Sequence, residues 1–82
     1  ETAEDLLVRA VTVDAGYSPA LSALASIRAR RGDYATSLDY IEKAVAAGER
    51  DAEHFRQALE FAPLRNHPRF RTLLARMSTK GS

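Results

Sequence analysis

Residues 32–48 read GDYATSLDYIEKAVAAG, a segment with a glycine at each end and apolar residues at steps of three and four between them. These apolar residues form one stripe along a helix: Tyr34, Leu38, Ile41, Ala44 and Val45. Asp33 can cap the first turn, and Gly48 suits the end of a helix. The segment therefore predicts an amphipathic helix over residues 34–47 that packs through its stripe.

The same periodicity continues through most of the chain and predicts further helices near residues 2–13, 19–31 and 67–77. Ser18 followed by Pro19 is a start signal, because the serine oxygen can cap free amide groups and proline fits the first helical turn. Gly32 is a stop signal. A short turn of helix is expected after Asp51, before Pro63 interrupts the backbone hydrogen bonds. The predicted fold class is all-α.

Composition limits the functions that this chain can perform. The 82 residues include 12 basic and 11 acidic side chains, so a net charge of +1 exerts no general attraction on nucleic acids or anionic membranes. There is no cysteine, which excludes disulfides and thiolate zinc sites. No apolar run reaches the length of a membrane span, and we predict a cytoplasmic protein with no membrane partner.

Because the sequence begins with Glu1, we expect it to be part of a longer chain.

An internal repeat appears when the sequence is shifted by 34 residues against itself. Leu7 then falls on Ile41, and Ala10 falls on Ala44. The first predicted helix is thus a copy of the third.

Residues 18–51, SPALSALASIRARRGDYATSLDYIEKAVAAGERD, resemble a complete tetratricopeptide repeat, which is a pair of antiparallel helices that stacks on neighbouring pairs. The resemblance implies a fragment of an α-solenoid. Residues 1–17 would be the second half of one repeat, 18–51 a full repeat, 52–77 a C-terminal capping segment with a short irregular helix, and 78–82 a disordered tail. Together residues 1–77 would form one domain. The residues that this resemblance assigns to repeat packing are Leu21, Leu24, Ala25, Gly32, Tyr34, Leu38, Ile41 and Ala44.

Three positions depart from the family pattern. Arg28 replaces a large aromatic residue, Ser37 replaces an alanine, and Glu49 replaces a proline. We expect Arg28 to lay its methylene groups on the apolar stripe and keep its guanidinium group in water.

The stretch EFAPLRNHPRFRTLLARM resembles the closing segment of some tetratricopeptide arrays, with Arg69, Arg71, Arg76 and Lys80 facing outward.

The resemblance also implies a function, because such arrays bind partners in a concave groove lined by the first helix of each repeat. Here the lining residues would be Pro19, Ser22, Ala23, Ser26, Ala29 and Arg30. Family members that clamp a free carboxylate place lysine and asparagine at the positions of Ser22 and Ser26, so that mode is disfavoured. A peptide or helix of a partner protein would suit the short side chains, with Arg30 as an ionic anchor. Closing segments of this kind often end multidomain bacterial regulators, in which the repeats form a sensing or assembly arm, and the resemblance implies a scaffold for protein–protein interaction.

The first predicted helix presents an apolar stripe whose partner helix would lie upstream. Its residues are Ala3, Leu7, Ala10 and Val11. We expect this face either to pair with a second copy, giving a homodimer, or to remain frayed.

Searches for catalytic and metal-binding patterns point to no enzyme. His54 and His67 lie outside any recognised metal motif and are expected to be solvated or capping. Asp39 and Glu42 beside Lys43 are typical of a solvated helical face. The sequence specifies no nucleophile with its base and no phosphate-binding glycine loop, and hence no cofactor and no small-molecule substrate.

Two alternatives to a partner-binding scaffold stay open. Arg28, Arg30 and Arg31, together with the basic C-terminus, could contact phosphates of RNA or DNA, although most aromatic residues are committed to helix stripes. The chain could also be a purely structural cap of an array.

Overall fold

The computed structural model describes residues 2–78, and this part of the chain is helical with no strand. The α-helices are α1 (Ala3–Val13), α2 (Ser18–Arg30), α3 (Tyr34–Ala46), α4 (Ala52–Gln57) and α5 (Pro68–Ser78). A 3₁₀ helix, hereafter the 3₁₀ segment, spans Leu59–Leu64 between α4 and α5. The prediction of an all-α fold is confirmed for these residues.

The bounds of the four predicted helices differ from those observed by no more than one residue at either end. One difference concerns the tail, because Ser78 is the last residue of α5 rather than the first of a disordered segment. The rest of the predicted tail, residues 79–82, and Lys80 within it lie outside the described residues, as does Glu1.

Side-chain caps explain where three helices begin. Thr2 and Asp5 form a capping box on α1, in which Thr2 Oγ1 accepts from the Asp5 amide at 3.1 Å and Asp5 Oδ2 accepts from the Thr2 amide at 3.2 Å. Asp33 accepts from the Thr36 amide, as predicted, and Asp51 does the same for α4.

The predicted serine cap of α2 is wrong. Ser18 is the first helical residue, Tyr17 occupies the cap position, and no side chain accepts a hydrogen bond there. The proline in the first turn has no amide hydrogen to satisfy, so one donor fewer needs a cap.

Glycines with positive φ end α2 and α3. Gly32 has φ +80° and Gly48 has φ +108°, a backbone region that side chains with a Cβ rarely adopt. After Gly32 the chain reverses, and the Asp33 amide donates to the Arg28 carbonyl at 2.9 Å. The turn directs α3 back along α2 in the antiparallel sense.

The α2–α3 pair is closely packed through small and branched side chains. Leu21, Leu24, Ala25, Leu38, Ile41 and Ala44 are all buried, and Tyr34 is half-buried at the edge of the core. Ser37 lies inside this contact, and its hydroxyl donates to the Ala25 carbonyl at 2.8 Å. Since that bond satisfies the hydroxyl, the serine is accommodated in a fully buried position.

A row of three phenylalanines forms the core of the C-terminal part. Phe55, Phe61 and Phe70 are each 0% exposed, with ring centroids 5.4 Å apart for the first pair and 6.0 Å for the second. The buried face of α5 continues this core toward α3 through Leu73, Leu74 and Met77.

Arg69, which was predicted to face outward, connects α5 to the outer surface of α3. Its Nη2 lies 2.7 Å from Asp39 Oδ1 and 2.6 Å from Glu42 Oε1. Hydrogen bonds to Asp39 and then Glu42 raise the pKa of Arg69. Asp39 and Glu42 are exposed, in agreement with the predicted solvated face, and both also pair with Arg69 of α5.

Ion pairs supplement limited apolar contact between α1 and α2. No residue of α1 is buried, but Glu4 contacts Arg28 at 2.6 Å and Arg31 at 2.7 Å. The Glu4 side chain is 11% exposed, so this charge lies largely in the helix contact. The predicted water-exposed guanidinium group of Arg28 is instead paired with Glu4 and, at 3.5 Å, with Asp33.

Candidate partner-binding surface

The predicted groove residues lie along α2 but differ widely in accessibility. Pro19 and Arg30 are exposed, whereas Ser22, Ala23 and Ser26 are half-buried. Ala29 is 3% exposed and belongs to the hydrophobic core, so it offers almost no surface to a partner. The accessible α2 face therefore consists of Pro19, Ala23 and Arg30, with the two serines between them.

A carboxylate from the 3₁₀ segment meets this face. Glu60 Oε2 accepts a hydrogen bond from Ser26 Oγ at 2.6 Å and lies 3.8 Å from Arg30 Nη2. The Glu60 side chain is 16% exposed. The hydrogen bond from Ser26, reinforced by the Glu60 amide and the Arg30 charge, lowers the pKa of Glu60, although burial acts in the opposite direction.

Sequence reasoning did not identify Glu60 as part of the site. One signal could have found it, because Ser26 and Glu60 are separated by 34 residues, the period of the internal repeat. Residues one period apart lie at equivalent places on successive units and can touch when those units stack.

Ser22 contributes no free hydrogen-bonding group to the surface. Its Oγ atom is buried and has no hydrogen-bond partner among the described residues. Together with the Ser26–Glu60 bond, this leaves neither serine hydroxyl free to bind a partner. Arg30, 68% exposed, keeps a guanidinium group accessible.

The face predicted for self-association is only partly covered. Ala3 is exposed, and Leu7, Ala10 and Val11 are half-buried. Two large apolar side chains of α1 that the predicted self-association face did not include are more exposed. Leu6 is 55% exposed and Val13 is 90% exposed.

Four of the basic residues of the nucleic-acid alternative pair with carboxylates of the protein. Arg28 and Arg31 contact Glu4, Arg30 approaches Glu60, and Arg69 contacts two carboxylates of α3. These contacts reduce the positive charge that α2 and the start of α5 present to a phosphate backbone.

Each histidine makes a contact within the protein. His67 Nδ1 accepts from the Arg69 amide at 3.1 Å, a capping role at the start of α5, and His54 lies edge-on to Phe55 with ring centroids 5.1 Å apart. Within residues 2–78, no group of three or more metal-ligating side chains is close enough to hold an ion.

None of the helices in the described part of the chain combines the length and apolar character that crossing a membrane requires.

Comparison of the sequence with family models and curated proteins, and of the chain with solved structures, returned no match.

Proposed function

We propose that this chain is the C-terminal part of a tetratricopeptide array and that it binds a peptide or helix of a partner protein through the α2 face. The observation that carries the proposal is the contact between Ser26 and Glu60, which joins two positions one repeat period apart. It supports a stacking of successive units along the chain, with the 3₁₀ segment beside α2.

Packing of the α2–α3 pair also supports the proposal. Ala25 and Ala44 are 0% exposed, and the small side chain at each position allows the helix axes to approach closely. In this arrangement residues 52–77 act as the closing segment, because the three phenylalanines cover one end of the pair with apolar surface.

The chemistry of the α2 face favours a partner with a backbone close to the helix. Pro19 and Ala23 have short side chains, and Arg30 supplies a positively charged group at one end. Glu60 beside Ser26 would repel a free C-terminal carboxylate, so we propose an internal peptide segment or a helix with an acidic residue placed to meet Arg30.

Binding can be tested by substitutions that leave the core intact. The immobilised protein is used to capture its partner. The amount of partner bound is then compared for wild type, Ala23→Glu and Arg30→Glu. We expect both variants to weaken binding, since the first obstructs the face and the second reverses the charge of the anchor. Arg50→Glu, an equal charge change in the exposed loop after α3, is the matched control.

Each variant must retain a helical circular dichroism spectrum to be interpreted. Binding that survives both Ala23→Glu and Arg30→Glu would show that the partner uses another surface. Failure to capture any partner would favour the alternative of a purely structural array cap.

A further inference from the structure

A cleft between α4 and α5 is lined by three arginines and lies apart from the α2 face. It has a volume of about 340 Å³ and its lining residues are Arg56, Arg65, Phe70, Arg71, Leu74 and Ala75. This set is hereafter the arginine cleft.

Most of the positive charge in the arginine cleft is not neutralised by the protein. Arg56 lies 3.4 Å from Glu53, and Arg65 Nε donates to the Arg56 carbonyl at 3.1 Å. Among residues 2–78, no carboxylate is within 4.0 Å of the guanidinium group of Arg65 or Arg71. The sequence contains no acidic residue after Glu60, so residues 61–82 provide no acidic side chain as a counter-charge.

The walls and floor of the cleft give it an amphipathic character. Phe70 and Leu74 form a buried apolar floor, at 0% and 6% exposed. The three arginines and Ala75 are exposed walls, and arginine stems add methylene surface to them. A ligand here would contact guanidinium groups at the rim and the apolar surface of Ala75 and the arginine stems, above a floor that is almost completely buried.

The size and exposure of the arginine cleft favour a peptide side chain as its ligand over a small molecule. Pockets for drug-sized ligands span roughly 300–1,000 Å³ and enclose most of the ligand, whereas this cleft is at the lower limit and most of its lining residues are exposed. Nucleic acid fits less well because the aromatic ring in the lining, Phe70, is completely buried and cannot stack on a base.

We propose that the arginine cleft binds a short acidic peptide segment that carries an apolar side chain next to its carboxylates. The carboxylates pair with Arg65 and Arg71, and the apolar side chain lies against Ala75 and the arginine stems. This site does not depend on the proposed α2 interaction, since none of its lining residues belongs to α2 or to the 3₁₀ segment.

The test uses fluorescence anisotropy with a fluorescein-labelled peptide in which Glu-Phe-Glu is flanked by glycine and serine. We expect saturable binding that weakens as salt is raised. Arg71→Gln should reduce the affinity roughly three- to tenfold, and Ala75→Glu should reduce it further by placing a negative charge in the wall. Arg50→Gln removes the same charge from a loop outside the cleft and should leave the affinity unchanged.

Two control peptides separate the charged and apolar contributions. A Gln-Phe-Gln peptide that binds as tightly as the acidic one would overturn the role of the arginines. A Glu-Ala-Glu peptide of equal affinity would overturn the role of the apolar surface.

Three further outcomes would overturn the proposal as a whole. These are the absence of binding, an affinity that Arg71→Gln leaves unchanged, and tighter binding of a single-stranded RNA oligonucleotide that depends on Arg71. Circular dichroism of each variant verifies the fold. Should Ala75→Glu unfold the protein, the exposed Arg71→Gln substitution still decides the result.

Discussion

The bond between Ser26 and Glu60 can be tested through stability, because it joins α2 to the 3₁₀ segment across a partly buried contact. A hydrogen bond to a charged group contributes about 1.5–3 kcal/mol. The Arg30 contact adds little, since it is 3.8 Å long and Arg30 is 68% exposed. We therefore expect Ser26→Ala to lower the free energy of unfolding by about 1.5 kcal/mol. For a domain of this size, that change corresponds to a fall in Tm of roughly 6–12 °C.

The effect should depend on pH in a defined direction. The pKa of Glu60 is lowered in the folded protein from an ordinary value of 4.5. The unfolded chain then binds the proton more readily, so the stabilisation is fully present above the unfolded-state pKa and is lost as the pH falls through the folded-state pKa. Ser26→Ala removes the main cause of the shift, and the difference in stability between variant and wild type should narrow in acid.

The assay is urea denaturation followed by circular dichroism at pH 7 and at about pH 3, for wild type, Ser26→Ala, Glu60→Gln and the double variant. We expect a coupling energy between the two positions of about 1 kcal/mol at pH 7. Additive effects of the two substitutions, or a cost of Ser26→Ala that is the same at both pH values, would refute the reasoning.

Two further predictions concern the core and α1. Phe61→Ala removes the central ring of the phenylalanine row and should cost about 3–5 kcal/mol, a large part of the roughly 4–12 kcal/mol that a domain of this length possesses. A urea midpoint close to that of wild type would contradict this. For α1, where Leu6 and Val13 are exposed, we expect either self-association in sedimentation experiments or faster amide exchange than in α2. A strictly monomeric protein with strongly protected residues 3–11 would show that this face is already sufficiently covered.

The helices were predictable because their signals are local. Apolar spacing, the aspartate at position 33 and the glycines at 32 and 48 act within a few residues of each helix end, and the observed bounds agree with them. The cap of α2 was mispredicted because serine and proline at adjacent positions fit two registers, and the structure adopts the one that starts the helix at Ser18.

The ion pairs of the surface could not be predicted in the same way. Glu4 with Arg28, and Arg69 with Asp39, join residues from different helices. Such a pairing depends on how the helices dock, and each arginine has several carboxylates within reach along the sequence. Ser26 and Glu60 also come from different elements, although their separation of 34 residues equals the shift that relates the first predicted helix to the third.

The short connections described above have a consequence for folding kinetics. The α2–α3 pair closes through a turn at residues 31–33, and Phe55, Phe61 and Phe70 come from one stretch of sequence. Contacts between residues that are near in sequence require little loop-closure entropy, and helical proteins with this property fold in microseconds to milliseconds. Helices α2 and α3 can therefore pair before the C-terminal segment has folded. That segment can form its own core of three phenylalanine rings before it docks on α3.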